Sequence, residues 1–318
     1  MTVSVAMITY NHEKYIARAI ESIISQNVHF QYEIVIGEDC STDATRAVIL
    51  DFHRRYPDRI RLLLRDHNVG AMRNFVDTIE ACRGEYLALL EGDDYWISSD
   101  KLQRQVDFLD GHPECALCCG RAKVHYEVGA EKFGPRGDLF PSRPPGTYKI
   151  EDILEDNFIA TCTAVVRREL IGRFPEWFYE VKLGDWPLFA MVALHGDIEL
   201  MDEILAAYRI HSGGMWSSMA SATRLKEIIR MLIYLDQELQ FQHTSLLRNT
   251  IASSYFKLSF ASRSTGSRTE TMKYFLMYLC GGGWHRSQSL RAFPGLAAYL
   301  IFGARYKALS LNRSRTEK

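Results

Sequence analysis

The sequence has no uninterrupted apolar run of the roughly 18 residues that would cross a bilayer as a helix. The nearest, Phe293 to Ala304, spans 12. Charge of one sign is also lacking: 38 Lys and Arg stand against 39 Asp and Glu, which argues against a global nucleic-acid-binding role. The cysteines have no regular pattern. They number seven, at 40, 82, 115, 118, 119, 162 and 280, an odd count with irregular spacing. That excludes a simple disulfide framework and reads as buried thiols of a reducing, cytoplasmic setting. Cys115, Cys118 and Cys119 have no second Cys or His pair at ligand spacing and read as core rather than zinc ligands. Met1 to Ile8 carries no basic segment and reads as a strand instead of a secretory signal. With 47% hydrophobic residues over 318 positions, the chain can bury a sizeable core, so disorder is not its default.

What is present is an alternation of two periods. Val3 to Thr9 is apolar and β-branched, and after the polar turn Tyr10-Asn11-His12 a helical stripe follows at Ile16, Ala19, Ile20, Ile23 and Ile24. A strand over Tyr32 to Gly37, a helix over Ala44 to Tyr56 and a strand over Ile60 to Leu64 repeat the pattern, and a helix then carries Phe75, Ile79 and Cys82. Such alternation implies an α/β fold with a mostly parallel sheet and right-handed crossovers. Further on, the patterning predicts a helix over Lys101 to Leu109 and strands over Ala116 to Tyr126 and Thr161 to Val166. A helix opening at Gly184-Asp185-Trp186 and an extended segment from Ile198 to Ile210 follow. Gly129 to Gly146, rich in Gly, Pro and Arg, reads as a surface loop able to close over a ligand. Beyond Met215 the pattern is helical, with helices expected over Leu246 to Ala261 and Thr269 to Leu279. Two domains are expected, 1–216 and a helical appendage at 217–318. The stretch from His285 onward is basic and apolar-faced, which fits an interfacial membrane contact.

The apolar run Leu87 to Leu90 ends abruptly in Glu91, Asp93 and Asp94. In open α/β sheets ligands gather beyond the carboxyl ends of the strands. Clustered carboxylates repel one another unless a cation or donor offsets the repulsion, so a divalent metal with oxygen preference is the natural partner. Trp177, within the aromatic stretch Phe174 to Tyr179, and Trp186 are candidates to stack on a bound ligand.

Six segments in order, Thr9-Tyr10-Asn11, Glu38 to Asp43, Asn68 with Gly70 and Asn74, Glu91 to Asp94, Asp185-Trp186 and Tyr208 to His211, together resemble a family 2 glycosyltransferase of the GT-A fold. The resemblance covers residues 1 to 216. It implies a Rossmann-like, mostly parallel sheet flanked by helices, and an inverting, metal-dependent transfer of a sugar from a nucleotide-diphosphate donor to a hydroxyl acceptor, in surface polysaccharide or glycolipid assembly. It implies that Thr9, Tyr10 and Asn11 lie at the donor nucleotide with Asn68, and that Asp39, beside Glu38 where many relatives have Asp, bonds the base. Asp93 is then expected near the ribose, and Asp94 is expected to hold Mn²⁺ or Mg²⁺ on the diphosphate. His211 approaches the metal or the diphosphate, and Asp185 is the catalytic base. Relatives carry an acid just before that base; Gly184 stands here instead. Arg73, in a first helical turn, is expected to reach the diphosphate. The expected partners are a nucleotide-sugar donor and a glycan or lipid-linked acceptor, with a membrane surface and a second copy of the chain as further candidates and no nucleic acid. Localisation at the inner face of the cytoplasmic membrane accompanies that reading. A nucleotidyltransferase is the alternative enzyme, but Thr9 to Lys14 is not the Gly-rich basic loop it would want. A non-catalytic scaffold on a degenerate domain would not need Asp94 and Asp185.

Overall fold

The computed structural model describes residues 1–130, 139–141, 143–264 and 266–281. The basic stretch from His285 onward, expected to meet a membrane, lies outside them, as does half of the expected 129–146 loop. The chain divides into two compact units, Met1–Ser218 and Met219–Lys318.

The first unit is organised by a sheet whose leading strands are β1 (Val3–Thr9), β2 (Tyr32–Glu38), β3 (Ile60–Leu64) and β4 (Tyr86–Leu89). Their spatial order is β3-β2-β1-β4, all parallel. Helices α1 (Ile16–Ile24), α2 (Thr45–Arg55) and α3 (Ala71–Ala81) supply the crossovers. The expected stripe on α1 is buried at Ile16, Ala19, Ile20 and Ile23, where each Ile contributes roughly 1.5–3 kcal/mol. Strands covered on both faces read as continuous apolar runs because neither face meets water. Thus β2 is buried at every position, including two acids. Of these, Glu33 accepts from Ser4 Oγ at 2.7 Å and from the Arg83 N–H at 2.9 Å.

Past the acid turn come β5 (Tyr95–Trp96), α4 (Lys101–Gly111) and β6 (Cys115–Tyr126), followed by the short strands β7 (Leu139–Phe140) and β8 (Gly146–Tyr148). Then come α5 (Ile150–Glu155), a 3-10 turn at Thr161–Thr163, β9 (Val165–Arg167), α6 (Asp185–Val192) and β10 (Asp197–Ile210). The sheet continues from β4 as β9-β6-β10-β5, with β6 parallel to β10 while β9 and β5 run antiparallel to their neighbours. The strand expected over Thr161 to Val166 is therefore half a turn of 3-10 helix and half an inserted antiparallel strand. The described ends of the 129–146 stretch pair with β6 and β10 as β7 and the start of β8, so part of it extends the sheet. One buried cation had no local signal: Lys101 opens α4 fully buried, with Nζ 4.3 Å from the Trp96 ring centre and without a hydrogen-bond partner. Burial lowers its pKa to about 7. The cysteines at 115, 118, 119 and 162 are buried thiols of this core.

The second unit contains α7 (Ser221–Glu238), α8 (Thr244–Ser264) and α9 (Arg268–Cys280). Ser267 caps α9 by accepting from the Glu270 N–H at 3.3 Å. Among the described residues no helix is long and apolar enough to cross a membrane.

β2 and α3 approach each other closely at Gly37, where an added Cβ would run into Thr78 Oγ1 and Asn74 Oδ1. Gly37→Ala is therefore expected to destabilise the protein by about 1–3 kcal/mol, as overpacking does. A thermal melt identical to wild type would refute that close approach.

Candidate functional site

The carboxyl ends of β1, β2 and β4 and the far end of β10 bring four separate stretches of chain together. After β1 the backbone turns at Asn11, which has φ 56°. The turn is held because the Asn11 N–H donates to Ser41 Oγ at 2.9 Å and Asn11 Oδ1 accepts from the Thr42 N–H at 2.8 Å. Tyr10 remains 43% exposed at the rim. Thr9 is buried, with Oγ1 3.2 Å from His12 Nδ1.

The two acids after β2 are both inward. Glu38 is fully buried, accepts from the Ser41 N–H at 2.6 Å and pairs with Arg46. Asp39 accepts from the N–H groups of Val69 at 2.7 Å and Gly70 at 3.0 Å, while Asn68 Nδ2 donates to the Asp39 carbonyl at 3.2 Å. Gly70 has φ 88°, a left-handed conformation that suits glycine. Glu38 thus serves the loop that follows β2, and Asp39 ties that loop to the start of α3.

The acid turn itself is crowded. Gly92 is needed there: a Cβ would lie 2.6 Å from Thr9 Oγ1 and 3.0 Å from His12 Nδ1. Asp93 Oδ2 is 3.0 Å from His211 Nε2 and 3.8 Å from His12 Nε2. One ligand atom from each of these three residues lies within 4.8 Å of the others. Burial pushes the Asp93 carboxyl up, but the two imidazoles outweigh it and the net shift is downward. Asp94 faces elsewhere. It is 3% exposed, its Oδ1 accepts from the Arg209 N–H at 2.6 Å, and the Cys162 thiol lies near its carboxyl. Burial, then Asp93 and Glu91, raise its pKa well above the carboxylate range. The structure therefore gathers Asp93, not Asp94, with His211, and adds His12. A carboxylate and two imidazoles are an ordinary donor set for a divalent ion of the manganese-to-zinc series, so these residues fit such a metal. Glu91 is half-buried with Oε2 enclosed and unpartnered, and desolvation, then Asp93 and Asp185, raise its pKa to about 8.

Arg209 closes this end. Its Nε donates to the Asp93 carbonyl at 2.7 Å, its guanidinium pairs with Glu127, and it lies 4.6 Å from the Tyr15 ring centre. Tyr15 in turn packs 4.7 Å from the His211 ring.

Asp185 opens α6 on the opposite side of the turn. Asn157 Nδ2 and Thr161 Oγ1 both donate to its Oδ2 at 3.1 Å. Burial raises its pKa, and these hydrogen bonds oppose the rise only in part. Leu183, Trp186 and Phe189, its neighbours along the chain, are buried apolar residues. Gly184 is there for space, since a Cβ would sit 3.1 Å from Met72 Sδ and from Phe75; a preceding acid would have to displace α3.

Two of the expected site residues have partners of their own. Arg73 pairs with Asp77 at 2.9 Å, an i,i+4 carboxylate on its own helix, and lies over the Tyr179 ring. Trp186 is 6% exposed and donates Nε1 to the Ile153 carbonyl at 2.6 Å, so it packs α6 on α5 and offers no face to a sugar. Trp177 is partly buried, beside Phe178. His12, Asn157, Thr161 and Cys162 were not legible as site residues. Each is a lone polar residue without a local pattern, and only the position of His12 directly after a strand end hinted at its place.

Residues 4–174 match the family model described as glycosyl transferase family 2. An uncharacterised protein of Mycobacterium tuberculosis is 40% identical over 220 residues, 68% of this chain and 60% of that protein. The chain thus spans 60% of the length of that relative. A putative teichuronic acid biosynthesis glycosyltransferase of Bacillus subtilis is 28% identical over 224 residues, covering 70% of this chain and 84% of the other. The solved mannosyltransferase of Pyrobaculum calidifontis, in complex with GDP-Man and Mn²⁺, superposes with a TM-score of 0.58 at 14% identity over 97% of this chain and 83% of its own. At that identity the likeness concerns the fold, which is GT-A.

Mn²⁺ is expected to raise the melting temperature of the wild type by mass action. The shift is expected to vanish in Asp93→Asn and shrink in His211→Ala. Wild-type shifts in both variants would remove these residues from the ligand set, and loss in Asp94→Asn alone would move the role to Asp94.

Proposed function

This chain belongs to glycosyl transferase family 2, and from that premise we propose that it is an inverting, metal-dependent glycosyltransferase. Its donor would be a nucleotide-diphosphate sugar and its acceptor a hydroxyl on a glycan or lipid-linked saccharide. The observation that carries the reading is the presence of two unlike acid sites at one turn: Asp93 between two imidazoles, and Asp185, half-buried, held by two side-chain donors and close enough to raise the pKa of Glu91. The relative named for teichuronic acid biosynthesis supports a place in surface-polymer assembly. The GDP-Man and Mn²⁺ in the mannosyltransferase complex support the donor class and the metal.

In the proposed step the acceptor oxygen bonds to the anomeric carbon as the bond from that carbon to the β-phosphate oxygen breaks. The electron pair of the broken bond leaves with the nucleoside diphosphate, and the acceptor proton goes to Asp185. A divalent cation held by Asp93, His211 and His12 would supply charge for the departing diphosphate. The chain's own part is to place Asp185 within hydrogen-bond reach of the acceptor hydroxyl and to keep water from it. Burial weakens Asp185 as an acid and strengthens it as a base, which suits proton abstraction near neutral pH. Thr9, Tyr10 and Asn11, with Asp39 and Asn68 behind them, would form the nucleotide side.

A panel of UDP-, GDP- and dTDP-sugars with Mn²⁺ tests the reading by release of the nucleoside diphosphate. Asp185→Asn is expected to lower turnover roughly 10²–10⁴-fold while donor binding persists. Wild-type turnover in that variant would sink the base assignment. Because Asp185 must be ionised to accept a proton and its pKa is raised, the wild-type rate should fall as pH drops, with a midpoint above the ordinary Asp value of about 3.9. A rate flat down to that value would contradict the assignment.

A further inference from the structure

The 3-10 turn Thr161–Thr163 lies beside both Asp185 and Asp94. Thr161 Oγ1 donates to Asp185 Oδ2 at 3.1 Å, and Asn157, four residues earlier, donates to the same oxygen. Cys162, next in the chain, is fully buried near Asp94. The backbone of the turn is anchored independently of these side chains. The Cys162 carbonyl accepts from Trp96 Nε1 at 2.8 Å, the Thr163 carbonyl accepts from Gln105 Nε2 at 2.9 Å, and the Ala164 carbonyl accepts from the Leu89 N–H at 3.3 Å. These three bonds tie it to β5, α4 and β4, and β4 and β5 are the strands that flank the acid turn.

We infer that this turn is the element that sets the distance between base and acid turn, and that Thr161, working with Asn157, is the positioning residue for Asp185. The inference rests on the glycosyl-transfer reading. An Asp carboxyl rotates freely about its terminal torsion, where the preference is broad and roughly two-fold. Two donors converging on Oδ2 fix that rotation. They leave Oδ1, which has no side-chain donor among the described residues, as the oxygen that takes the acceptor proton. The donors also favour the ionised form and so keep a half-buried acid usable as a base. A 1 Å misplacement of a reacting group costs on the order of 10²-fold in rate, so a donor anchored to the same backbone as the acid turn acts on the rate without touching substrate. A purely space-filling Thr161 would do none of this. Valine has nearly the same shape and lacks only the hydroxyl, while serine keeps the hydroxyl and loses the methyl.

The test uses the full chain, Mn²⁺ and steady-state release of nucleoside diphosphate from UDP-, GDP- and dTDP-sugars. Thr161→Val is expected to lower kcat about 10- to 100-fold, within the range for a misplaced group, with the donor KM within about twofold of wild type. Thr161→Ser is expected to recover most of the rate, and Asn157→Ala, which removes the other donor, to show the same split should the valine variant fail to fold. A valine variant with wild-type kcat, a loss carried by KM, or a serine variant no better than valine would each overturn the role. A wild type that releases nucleotide while Thr161→Val matches it overturns this role alone. A wild type that releases none from any of these donors overturns the glycosyl-transfer reading and this role with it.

Discussion

Repulsion among carboxyls is the constraint around which this molecule is arranged. Glu91, Asp93 and Asp94 occupy four consecutive positions at the end of β4, and Asp185 faces them from α6 closely enough to raise the pKa of Glu91. Buried like charges cannot all ionise without compensation. The compensation differs at each acid. Asp93 has two imidazoles, Asp94 has the Arg209 N–H, and Asp185 has two neutral donors. Three aspartates, two in the turn and one on α6, consequently have three different surroundings. Glu91 keeps an enclosed oxygen, Oε2, without a hydrogen-bond partner.

That division depends on where β10 ends. Arg209 and His211 are two residues apart at the last turn of the longest strand, and both reach back to the acid turn more than 110 positions earlier in the chain. Because β5 pairs antiparallel with β10, the acid turn is clamped between its own strand and β10. The position of Asp93 relative to His211 thus follows from sheet register, and a shift of β10 would separate the carboxylate from that imidazole.

The parallel half of the sheet was readable because its signals are local. The period-3.6 stripe on α1 and the apolar runs of β1, β2 and β4 each need only neighbouring residues. The acid turn was legible for the same reason. The antiparallel insertion of β9 was not, since Val165–Arg167 is three residues long and its apolar character suits either direction. Trp186 next to Asp185 looked like an acceptor platform until its Nε1 was seen to bond the α5 carbonyl. Arg73 looked free until Asp77, one helical turn on, claimed it.

By itself the sequence determined that the chain is an α/β protein with strand-end acids, that Asp185 stands at a helix start among apolar residues, and that the ordered set of motifs is that of family 2 glycosyltransferases. These follow from spacing along the chain, which a linear text records. Only the tertiary structure decided that Asp93 rather than Asp94 meets His211, that His12 joins them, and that Asn157 and Thr161 hold Asp185. Such pairings are set by which strand ends lie side by side and which way each side chain leaves its backbone. Residues that converge from distant segments leave no local periodicity by which to be recognised.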